Sequence, residues 1–479
     1  MNAEIPKPHT DNKVFIEDTF EQQKSAFLAS PYPSYKDRKD MLKALRKGLI
    51  KYKNKLVKSL STDFNHRSDD ESLLADIMPS VMSIKHAEKN LKKWMKPEKR
   101  HVGMLFQPAK AWIEYQPLGV VGIIVPWNYP VYLAIGPLAA ALAAGNRAMI
   151  KLSEFTPYTN RIMREIIEEV FDQTEVAIVE GDAEIAASFS AIPFDHLFFT
   201  GSTNVGKHVM RAAANNLTPV TLELGGKSPT LIGPDAPLDM AVERLLYGKC
   251  LNAGQTCVAT DYVLCPEEKV ASLVELIENQ FQELYPSVAN NPDFTAIINE
   301  QQYGRLQTWL SEAEAAGCNI IALNPSNENF AATERKIPLT LVINPPAHLN
   351  LSQQEIFGPI LPIFSYKTVD SAINFIKARP RPLALYIMSH DRKLQKRVLK
   401  DTHSGGVCIN DSVTHVAQDD LPFGGVGPSG MGHYHAKEGF YTFSKAKSVF
   451  KKGRFNSAKA ALPPYGKWIH KLIYALYLR

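Results

Sequence analysis

Cysteine is scarce in this chain, and its scarcity excludes several classes of protein. Only five cysteines occur among the 479 residues, at positions 250, 257, 265, 318 and 408. They form no CxxC pair and no regular spacing, so neither a disulfide framework nor a zinc ribbon is predicted. A reducing compartment, the cytoplasm, suits such a chain. His433 and His435 lack further ligand candidates around them, and we therefore expect no metal site.

Strong charge and a targeting signal are also missing. The net charge of +5 is modest, and much of the basic excess lies in residues 36–58 and 85–100. In the first of these segments leucines recur at helical spacing among the lysines, which predicts a surface helix with a solvated face. No zinc-finger or RNA-binding motif accompanies it, so nucleic-acid binding is not expected. Residues 1–20 carry scattered charges and no apolar core, unlike a secretory signal.

The chain has no internal repeat and no low-complexity tract, so it is not a solenoid. Its length suggests about two or three domains. From residue 119 onward short apolar runs alternate with longer helical patterns, beginning with a strand over 119–126 and a helix over 131–145. This alternation predicts parallel βαβ units in a doubly wound α/β sheet.

Two segments interrupt that rhythm. Residues 100–119 form extended runs on either side of Pro108 to Lys110, which predicts a β-hairpin. Unpaired hairpin edges are commonly covered by a partner, so oligomerisation through the hairpin is expected. The Gly-rich segment 421–435 has too many glycines for a helix. It predicts a loop whose backbone closely approaches other elements, either for a substrate funnel or for packing alone.

One cysteine stands in unusual surroundings. Cys257 lies in "NAGQTCVATD" (252–261), directly after Gly254, Gln255 and Thr256. A structural cysteine usually sits among large apolar residues, where it acts as a small buried hydrophobe. Small and amide neighbours instead favour a backbone shaped for close approach and a thiol that is reachable from a pocket.

Two other polar residues lie at the ends of predicted strands. Glu223, in "VTLELGGKSP", sits in an apolar strand, where desolvation would raise its pKa towards the range of a general base. A strand-end glutamate bonded to backbone N–H groups is an equal alternative. Asn128, in "PWNYP", either supplies an amide to an oxyanion or is a turn residue between two prolines.

Three further segments offer anchors for a cofactor. Gly201 and Ser202 stand at a strand-to-helix turn whose free N–H groups suit a phosphate, although the segment is neither a GxGxxG fingerprint nor a Walker loop. Lys151 and Glu154 end another strand and suit the hydroxyls of an adenine ribose, or else they belong to an ordinary helix N-terminus. Glu355, in "QEIFGP", is open to a similar pair of interpretations.

Taken in order, these segments resemble the motif series of the NAD(P)-dependent aldehyde dehydrogenase superfamily. The matching motifs are "PWNYP", "IKLSE", "FTGSTNVGK", "LELGGKSP", "NAGQTCVA", "QEIFGP" and "LPFGGVGPSGMG". Between residues 126 and 432 they cover most of the chain. Within the superfamily the chain resembles the shorter, class 3-like branch of fatty and bacterial coniferyl aldehyde dehydrogenases, and "HVAQDDLPFGGVGPSGMGHYHAKEGF" is closest to the coniferyl type.

The resemblance implies a reaction and a role for each candidate. Cys257 would attack an aldehyde, aided by a helix terminus or a nearby cation that favours the thiolate. The Asn128 amide and the Cys257 N–H would hold the oxyanion of the thiohemiacetal. After hydride transfer to the nicotinamide, Glu223 would activate the water that hydrolyses the thioester to the acid.

The resemblance also implies an NAD site, with NADP as an alternative. Glu154 should repel a 2′-phosphate and so favour NAD. Leu152 stands where many relatives have proline, which would leave the ribose loop less rigid. The implied cofactor-binding residues are Pro126, Trp127, Lys151, Glu154, Gly201, Ser202, Val205, Leu224, Gly225, Glu355 and Phe357.

The domain division follows the same resemblance, and so does the expectation of a homodimer. The expected parts are a modified Rossmann cofactor domain over 1–99 and 119–223, a catalytic domain over 224–420, a bridging element over 100–118 and 421–450, and a tail over 451–479. The end of the tail, 463–479, has an apolar stripe but is too short and too charged to cross a bilayer. It would pack on its own subunit or on a dimer partner, cap a substrate funnel, or lie on a membrane surface.

Three rival functions remain at this point. A CoA-acylating enzyme would resolve the thioester with a thiol, but relatives of that kind usually lack glutamate at the position of Glu223. A thiol esterase would use Cys257 without needing the cofactor residues. A non-catalytic NAD-binding protein would not need Cys257, Glu223 and Asn128 together.

Overall fold

The computed structural model describes residues 13–478. Residues 1–12, which form part of the segment predicted not to be a secretory signal, and Arg479 of the tail are outside the described residues. The helices are α1 (Lys13–Ala29), α2 (Tyr35–Asp63), α3 (Asp69–Ser72), α4 (Met78–Trp94), α5 (Tyr132–Ala144), α6 (Pro157–Val170), α7 (Ala183–Ser190), α8 (Thr203–Ala214), α9 (Leu238–Cys250), α10 (Val270–Leu284), α11 (Glu300–Ala315), α12 (Asn350–Gln353), α13 (Val369–Lys377), α14 (Arg392–Asp401), α15 (Ala436–Thr442) and α16 (Trp468–Tyr477).

Sixteen strands in the described part of the chain form three sheets. The strands are β1 (Glu98–Arg100), β2 (Lys110–Pro117), β3 (Val120–Ile124), β4 (Arg147–Lys151), β5 (Val176–Val179), β6 (His196–Gly201), β7 (Val220–Leu224), β8 (Pro229–Ile232), β9 (Tyr262–Pro266), β10 (Asn319–Ala322), β11 (Thr340–Ile343), β12 (Ile360–Tyr366), β13 (Ala384–Met388), β14 (Gly406–Ile409), β15 (Gly430–Met431) and β16 (Ser444–Lys451).

The first large sheet has six strands in the order β15-β7-β6-β3-β4-β5 and is parallel except for β15. Alternate residues of β3 pack into different clusters: Val121 and Ile123 join the cluster built with α2, α5 and α6, whereas Val120 and Ile124 join the cluster with α1, α7 and α8. Both faces are therefore covered by helices, as the alternation of apolar runs predicted. The chain leaves β3 in one direction and returns on its other side as β6, which creates a switch point where such sheets bind ligands.

The second large sheet has seven strands in the order β10-β11-β12-β9-β8-β13-β14, parallel except for β10. Residues 225–228 connect β7 of the first sheet to β8 of the second. The segment that carries Cys257 lies between α9 and β9. The two sheets thus meet where the candidate residues lie.

The third sheet is small and antiparallel, in the order β1-β2-β16. It contains the predicted hairpin, but the first arm is only the three residues of β1, which begins before residue 100. Residues 101–109, expected to be partly extended, instead form a loop with a 3₁₀ turn over Met104–Phe106. The domain boundaries drawn from the sequence stay predictions.

The Gly-rich segment 421–435 is a loop apart from β15, whose Gly430 pairs with Glu223 of β7. A Cβ on Gly430 would overlap the carbonyl oxygen of Leu222. Glycine is required here because the loop backbone lies directly against the strand that carries the candidate base. Between residues 13 and 478, no helix is both long enough and apolar enough to span a bilayer.

Candidate active site

The segment before Cys257 has an unusual backbone, which explains its small residues. Asn252 and Ala253 are left-handed, with φ of 53° and 51°, and Gly254 follows at φ 74°. A Cβ on Gly254 would lie 2.5 Å from the carbonyl oxygen of Gly358. The tight turn therefore needs glycine, and it brings the half-buried Cys257 to the junction of the two large sheets.

Asn128 is clasped to this segment through a short network of hydrogen bonds. The buried Asn128 donates from Nδ2 to the carbonyl oxygen of Gln255 at 3.2 Å. Asn252 donates to the same oxygen at 3.2 Å and to the Asn128 carbonyl oxygen at 3.1 Å. These bonds fix the Asn128 amide against the segment that precedes Cys257.

Neighbouring side chains hold the Cys257 segment on both sides. Gln255 donates to the carbonyl oxygen of Ala296 at 3.0 Å and accepts from the N–H of Ile298 at 3.0 Å. The Thr256 hydroxyl lies 2.9 Å from the Tyr129 hydroxyl. Because the residues preceding the thiol are bonded to fixed groups, the backbone at Cys257 is held in one geometry.

The thiol itself is electrostatically disfavoured as an anion. Burial, with the negative charges of Glu355 and Glu223, raises the pKa of Cys257 to about 12. The sequence predicted that a cation or a helix terminus would lower the pKa of this thiol. Among the described residues, neither is a cause of its pKa shift. Ionisation of Cys257 therefore requires transfer of its proton to a base.

Glu223 is an unpartnered carboxylate in the middle of the protein. The residue is 3% exposed, and neither carboxylate oxygen has a hydrogen-bond partner among the described residues. Burial raises the pKa of Glu223 well above its ordinary value. The alternative of a strand-end glutamate bonded to backbone N–H groups is therefore wrong. A buried acid kept without partners is poised to exchange a proton.

Glu355 lies against a glycine, and its charge also acts on the Cys257 thiol. A Cβ on Gly225 would overlap the Glu355 carboxylate, so the carboxylate occupies the space that a side chain would fill. Burial raises the pKa of Glu355 to about 8, while a hydrogen bond from the Gly226 backbone opposes the rise. Its Oε1 has no partner among the described residues, which leaves an acceptor free for a ligand hydroxyl.

The position of Glu355 depends on an ion pair that the sequence did not reveal. Lys227 and Asp261 are bonded to each other and are almost fully buried. Lys227 also donates to the carbonyl oxygens of Leu351 and Gln354, at 2.9 and 2.8 Å, and Asp261 accepts from the N–H of Ile356 at 2.7 Å. The pair thus fixes the backbone on both sides of Glu355.

Lys151 and Glu154 come together at the end of β4. The Lys151 Nζ lies 3.4 Å from Glu154 Oε2 and donates to the Leu152 carbonyl oxygen at 2.8 Å. Burial lowers the pKa of Lys151, and the charge of Glu154 opposes that effect. Glu154 lies two residues before Thr156, which is the N-cap of α6 as the helix interpretation expected. The two charges therefore lie together between the end of β4 and the beginning of α6.

The turn after β6 forms the first turn of α8. Ser202 is the N-cap, and its Oγ accepts a hydrogen bond from the N–H of Val205 at 3.4 Å. Ser202 and Val205 are exposed. Gly206 packs on Leu224, because a Cβ there would lie 2.7 Å from a Leu224 methyl group. The positive end of this twelve-residue helix is open at the switch point.

Aromatic rings enclose the remaining side of the candidate site. The rings of Trp127 and Phe357 meet edge-on at 5.3 Å, and Phe64 lies 6.2 Å from Trp127 on the other side. Pro126 and Trp127 are half-buried in the turn after β3. Among residues 13–478, no group of three or more His, Cys, Asp or Glu side chains is arranged to hold a metal ion.

The sequence of residues 3–449 matches the aldehyde dehydrogenase family, and the chain belongs to that family. It is thus an oxidoreductase that oxidises aldehydes. The doubly wound α/β fold expected for that family is confirmed. Three bacterial proteins are close in sequence over nearly their whole length, and two solved structures show the fold.

The relatives carry specific names. The chain is 53% identical to the "probable coniferyl aldehyde dehydrogenase" of Pseudomonas aeruginosa, over 97% of this chain and 96% of that protein. It is 48% identical to the "coniferyl aldehyde dehydrogenase" of a Pseudomonas species, over 89% of each. It is 41% identical to the "4,4'-diaponeurosporen-aldehyde dehydrogenase" of Staphylococcus aureus, over 94% of this chain and 96% of that protein.

Solved structures agree with the sequence comparison. The substrate-bound state of Staphylococcus aureus AldH superposes with a TM-score of 0.91 at 40% identity, covering 96% of this chain and 99% of that one. A Mycobacterium tuberculosis aldehyde dehydrogenase complexed with NAD+ superposes with a TM-score of 0.84 at 26% identity, covering 93% of this chain and 92% of that one.

Proposed function

We propose that this enzyme oxidises a hydrophobic aldehyde of the cinnamyl type to its carboxylic acid with NAD+, through a thioester on Cys257. The observation that carries the proposal is Glu223, a buried carboxylate without a partner whose charge acts on the Cys257 thiol. A pair of this kind supplies a nucleophile and the base that serves it.

The first step uses both members of the pair. The Cys257 proton passes to the Glu223 carboxylate while Sγ forms a bond to the carbonyl carbon of the aldehyde. Since burial raises the pKa of both groups, the transfer costs less than ionisation of the thiol into water. The carbonyl oxygen becomes an oxyanion.

Asn128 and the Cys257 N–H stabilise that oxyanion. One hydrogen of the Asn128 amide is bonded to Gln255, which leaves the second for the substrate. Because the amide is already clasped, it need not reorganise as charge develops on the oxygen. These hydrogen bonds stabilise the oxyanion most strongly when water is excluded from the site.

The residues at the two strand ends fit a dinucleotide. Lys151 and Glu154 would hold the adenine ribose, Ser202 and the start of α8 the pyrophosphate, and Glu355 beside Gly225 the nicotinamide ribose. NAD+ held by these residues would supply the acceptor for the hydride that leaves the aldehyde carbon. Glu154 disfavours a 2′-phosphate, so NAD is preferred to NADP.

The remaining members of the predicted set would close the site around the cofactor. Gly201 and Val205 flank Ser202 at the turn, and Leu224 packs beneath that turn through Gly206. Pro126, Trp127 and Phe357 supply the apolar wall.

Glu223 then serves the second half of the reaction. It first releases to solvent the proton taken from Cys257. It then takes a proton from water as the water oxygen attacks the thioester carbon, and it returns that proton to the Cys257 sulfur as the C–S bond breaks and the acid is released. A carboxylate in this position supports hydrolysis over transfer of the acyl group to CoA. Thiol esterase activity is the second candidate, because the same thioester chemistry needs no hydride acceptor.

The sequence relatives support the substrate class. Proteins named for coniferyl aldehyde are 53% and 48% identical to this chain, while the relative named for a long polyene aldehyde is 41% identical. We place aromatic, cinnamyl-type aldehydes first and medium-to-long aliphatic ones second. The five free cysteines suit a reducing compartment such as the cytoplasm.

The test is NADH formation by the purified protein with aromatic, cinnamyl-type and aliphatic aldehydes. We expect the highest kcat/KM with the cinnamyl type, no turnover by Cys257→Ala, and an acyl-enzyme that accumulates in Glu223→Gln. Ester hydrolysis or CoA-dependent turnover by the wild type without any NADH would overturn the proposal. Higher kcat/KM with NADP than with NAD would contradict the cofactor assignment alone.

We also propose a homodimer. Strands β14 and β16 are open sheet edges in the described chain, and Ile409 of β14 is 40% exposed. A second copy of the chain would cover such edges.

A further inference from the structure

A buried charge cluster lies directly behind the Asn128 turn. The Arg67 side chain is 0% exposed, with Nε 3.2 Å from Glu71 Oε1 and Nη1 3.6 Å from Asp76 Oδ2. Glu71 is 10% exposed and Asp76 is 0% exposed. Burying three charges together is costly, and a cluster of this kind contributes little net stability compared with apolar packing. Stability alone therefore does not explain why this charge cluster lies next to the candidate site.

Arg67 contacts both halves of the candidate site. Its Nη1 donates to the Asn128 carbonyl oxygen at 3.2 Å. The guanidinium also lies over the Tyr129 ring, 4.9 Å from the centroid, and the Tyr129 hydroxyl is 2.9 Å from that of Thr256, the residue before Cys257. One planar cation thus touches the turn that carries the amide and the ring that supports the nucleophile segment.

The carboxylates of the cluster hold the cation and the turn at the same time. Asp76 Oδ1 accepts from the N–H of Tyr132 at 2.6 Å, at the beginning of α5. Glu71 Oε1 also accepts from the Thr295 hydroxyl at 3.3 Å. The turn from Asn128 to Tyr132 is therefore bonded at one end to Arg67 and at the other end to the partner of Arg67.

We propose that Arg67, oriented by Glu71 and Asp76, is the positioning residue that sets the Asn128 amide against the oxyanion formed at Cys257. The inference rests on the proposed roles of Asn128 and Cys257. Arg67 itself does not reach the reacting atoms. It acts by fixing the Asn128 backbone, from which the side-chain amide reaches the Gln255 carbonyl oxygen and the substrate oxygen.

The planar fork of arginine suits this task. It donates to the Glu71 carboxylate and to the Asn128 carbonyl oxygen and pairs with Asp76 at 3.6 Å, while its face lies on an aromatic ring. A lysine would keep the positive charge for Glu71 and Asp76, but its compact ammonium cannot reproduce all of those directions. Arg67→Lys therefore separates geometry from charge.

The chain supplies a matched control. Arg38 is also 0% exposed, donates to the carbonyl oxygens of Ala143 and Ala144 at 3.1 and 2.7 Å, and lies over the Tyr32 ring at 5.1 Å. In the described chain its hydrogen bonds and ring contact reach no candidate site residue. Substitutions at Arg38 perturb a buried arginine that is bonded to backbone carbonyls and lies on an aromatic ring, without a carboxylate partner and without touching Asn128.

The experiment compares Arg67→Lys and Arg67→Met with Arg38→Lys and Arg38→Met in NADH formation and thermal unfolding. We expect both arginines to matter for unfolding, but only the Arg67 variants to lose kcat, by about tenfold or more, with little change in the KM for aldehyde. If Arg67→Met does not fold, Arg67→Lys carries the test. Equal kcat losses at Arg67 and Arg38, or unchanged kcat at Arg67, would overturn the proposal.

A double-variant cycle separates this inference from the proposed function. If Arg67 acts through Asn128, then Arg67→Lys combined with Asn128→Ala should be no slower than Asn128→Ala alone. Additive losses would show that Arg67 does not act through Asn128. Full activity of Asn128→Ala would instead contradict the oxyanion role in the proposed function, whatever Arg67 does.

Discussion

Gly225 determines where the Glu355 carboxylate can lie. A Cβ at this position would overlap both oxygens of that carboxylate, so no other residue leaves the cradle intact. At the scale of single residues, the proposed site depends on glycines that leave room for neighbouring groups as much as on the Cys257 thiol and the Glu223 carboxyl group. Gly254 plays the same part for the Cys257 turn.

Gly225→Ala should lower kcat/KM for NAD+ by about 10- to 100-fold, because displacement of a ligand-holding carboxylate by an ångström costs that much. Steady-state kinetics with varied NAD+ checks it. Gly304→Ala is the control, since a Cβ on Gly304 of α11 would have no atom within 4 Å. A normal kcat/KM in Gly225→Ala would show that Glu355 does not serve the cofactor.

Glu223 should make stability fall as pH rises. Its pKa is raised in the folded protein, so the native state binds a proton that the unfolded state has released above a pKa of about 4.3. Stability is then lost with increasing pH, by up to about 1.4 kcal/mol per pH unit, until the folded pKa is reached. Denaturant unfolding of wild type and Glu223→Gln at pH 6 and pH 8 should show the variant gaining relative stability at the higher pH. A constant difference would contradict the buried, unpartnered carboxylate.

At the scale of elements, the strands were predictable where burial alone decides them. The apolar runs of β3 to β7 are covered by helices on both faces, so their sequence pattern is strong. The two-residue β15 and the three-residue β1 were not predictable, because each is defined by its pairing partner and not by its own side chains. Cys257, Glu223 and Asn128 were identifiable from local motifs. Arg67 and Asp261 were not, since the contacts that tie them to the site, with Asn128 and with Ile356, lie far away along the chain.

Asp261→Asn should weaken the loop that carries Glu355. It leaves the buried Lys227 ammonium without its counterion, which costs about 3–5 kcal/mol of stability. We also expect a higher KM for NAD+, and thermal unfolding with NAD+ titration measures both effects. Asp370→Asn is the control, because Asp370 pairs with Arg397 at the exposed surface and should matter by less than about 1 kcal/mol. Equal effects of the two substitutions would contradict the role of the Lys227–Asp261 pair.

At the scale of the whole molecule, the C-terminal region leaves a large apolar patch exposed. The patch consists of Met104, Leu105, Phe106, Phe450, Phe455, Trp468, Leu472 and Leu476, each at least 41% exposed. The expectation that α16 packs on its own subunit is therefore not met by its apolar stripe. Between residues 439 and 478 there are eight Lys or Arg and no Asp or Glu. A patch of this size marks an interaction surface.

We expect a partner copy of the chain to cover this patch. Light scattering should show a dimer, and Trp468→Ser with Leu472→Ser should shift it towards monomer. Leu217→Ser, at a residue that is 90% exposed outside the patch, should leave the mass unchanged. A monomeric wild type that floats with anionic vesicles, but not after removal of residues 463–479, would instead make the patch a membrane-binding surface.

The connection from β7 to β8 has a consequence for how the enzyme is made. Glu223 ends a strand of one large sheet, and Cys257 precedes a strand of the other, with residues 225–228 as the link between the sheets. Neither half of the gene product holds both the acid and the thiol. The proposed acid and the proposed thiol therefore come together only after both sheets have folded, so the proposed reaction cannot begin on a chain whose second sheet is still being synthesised.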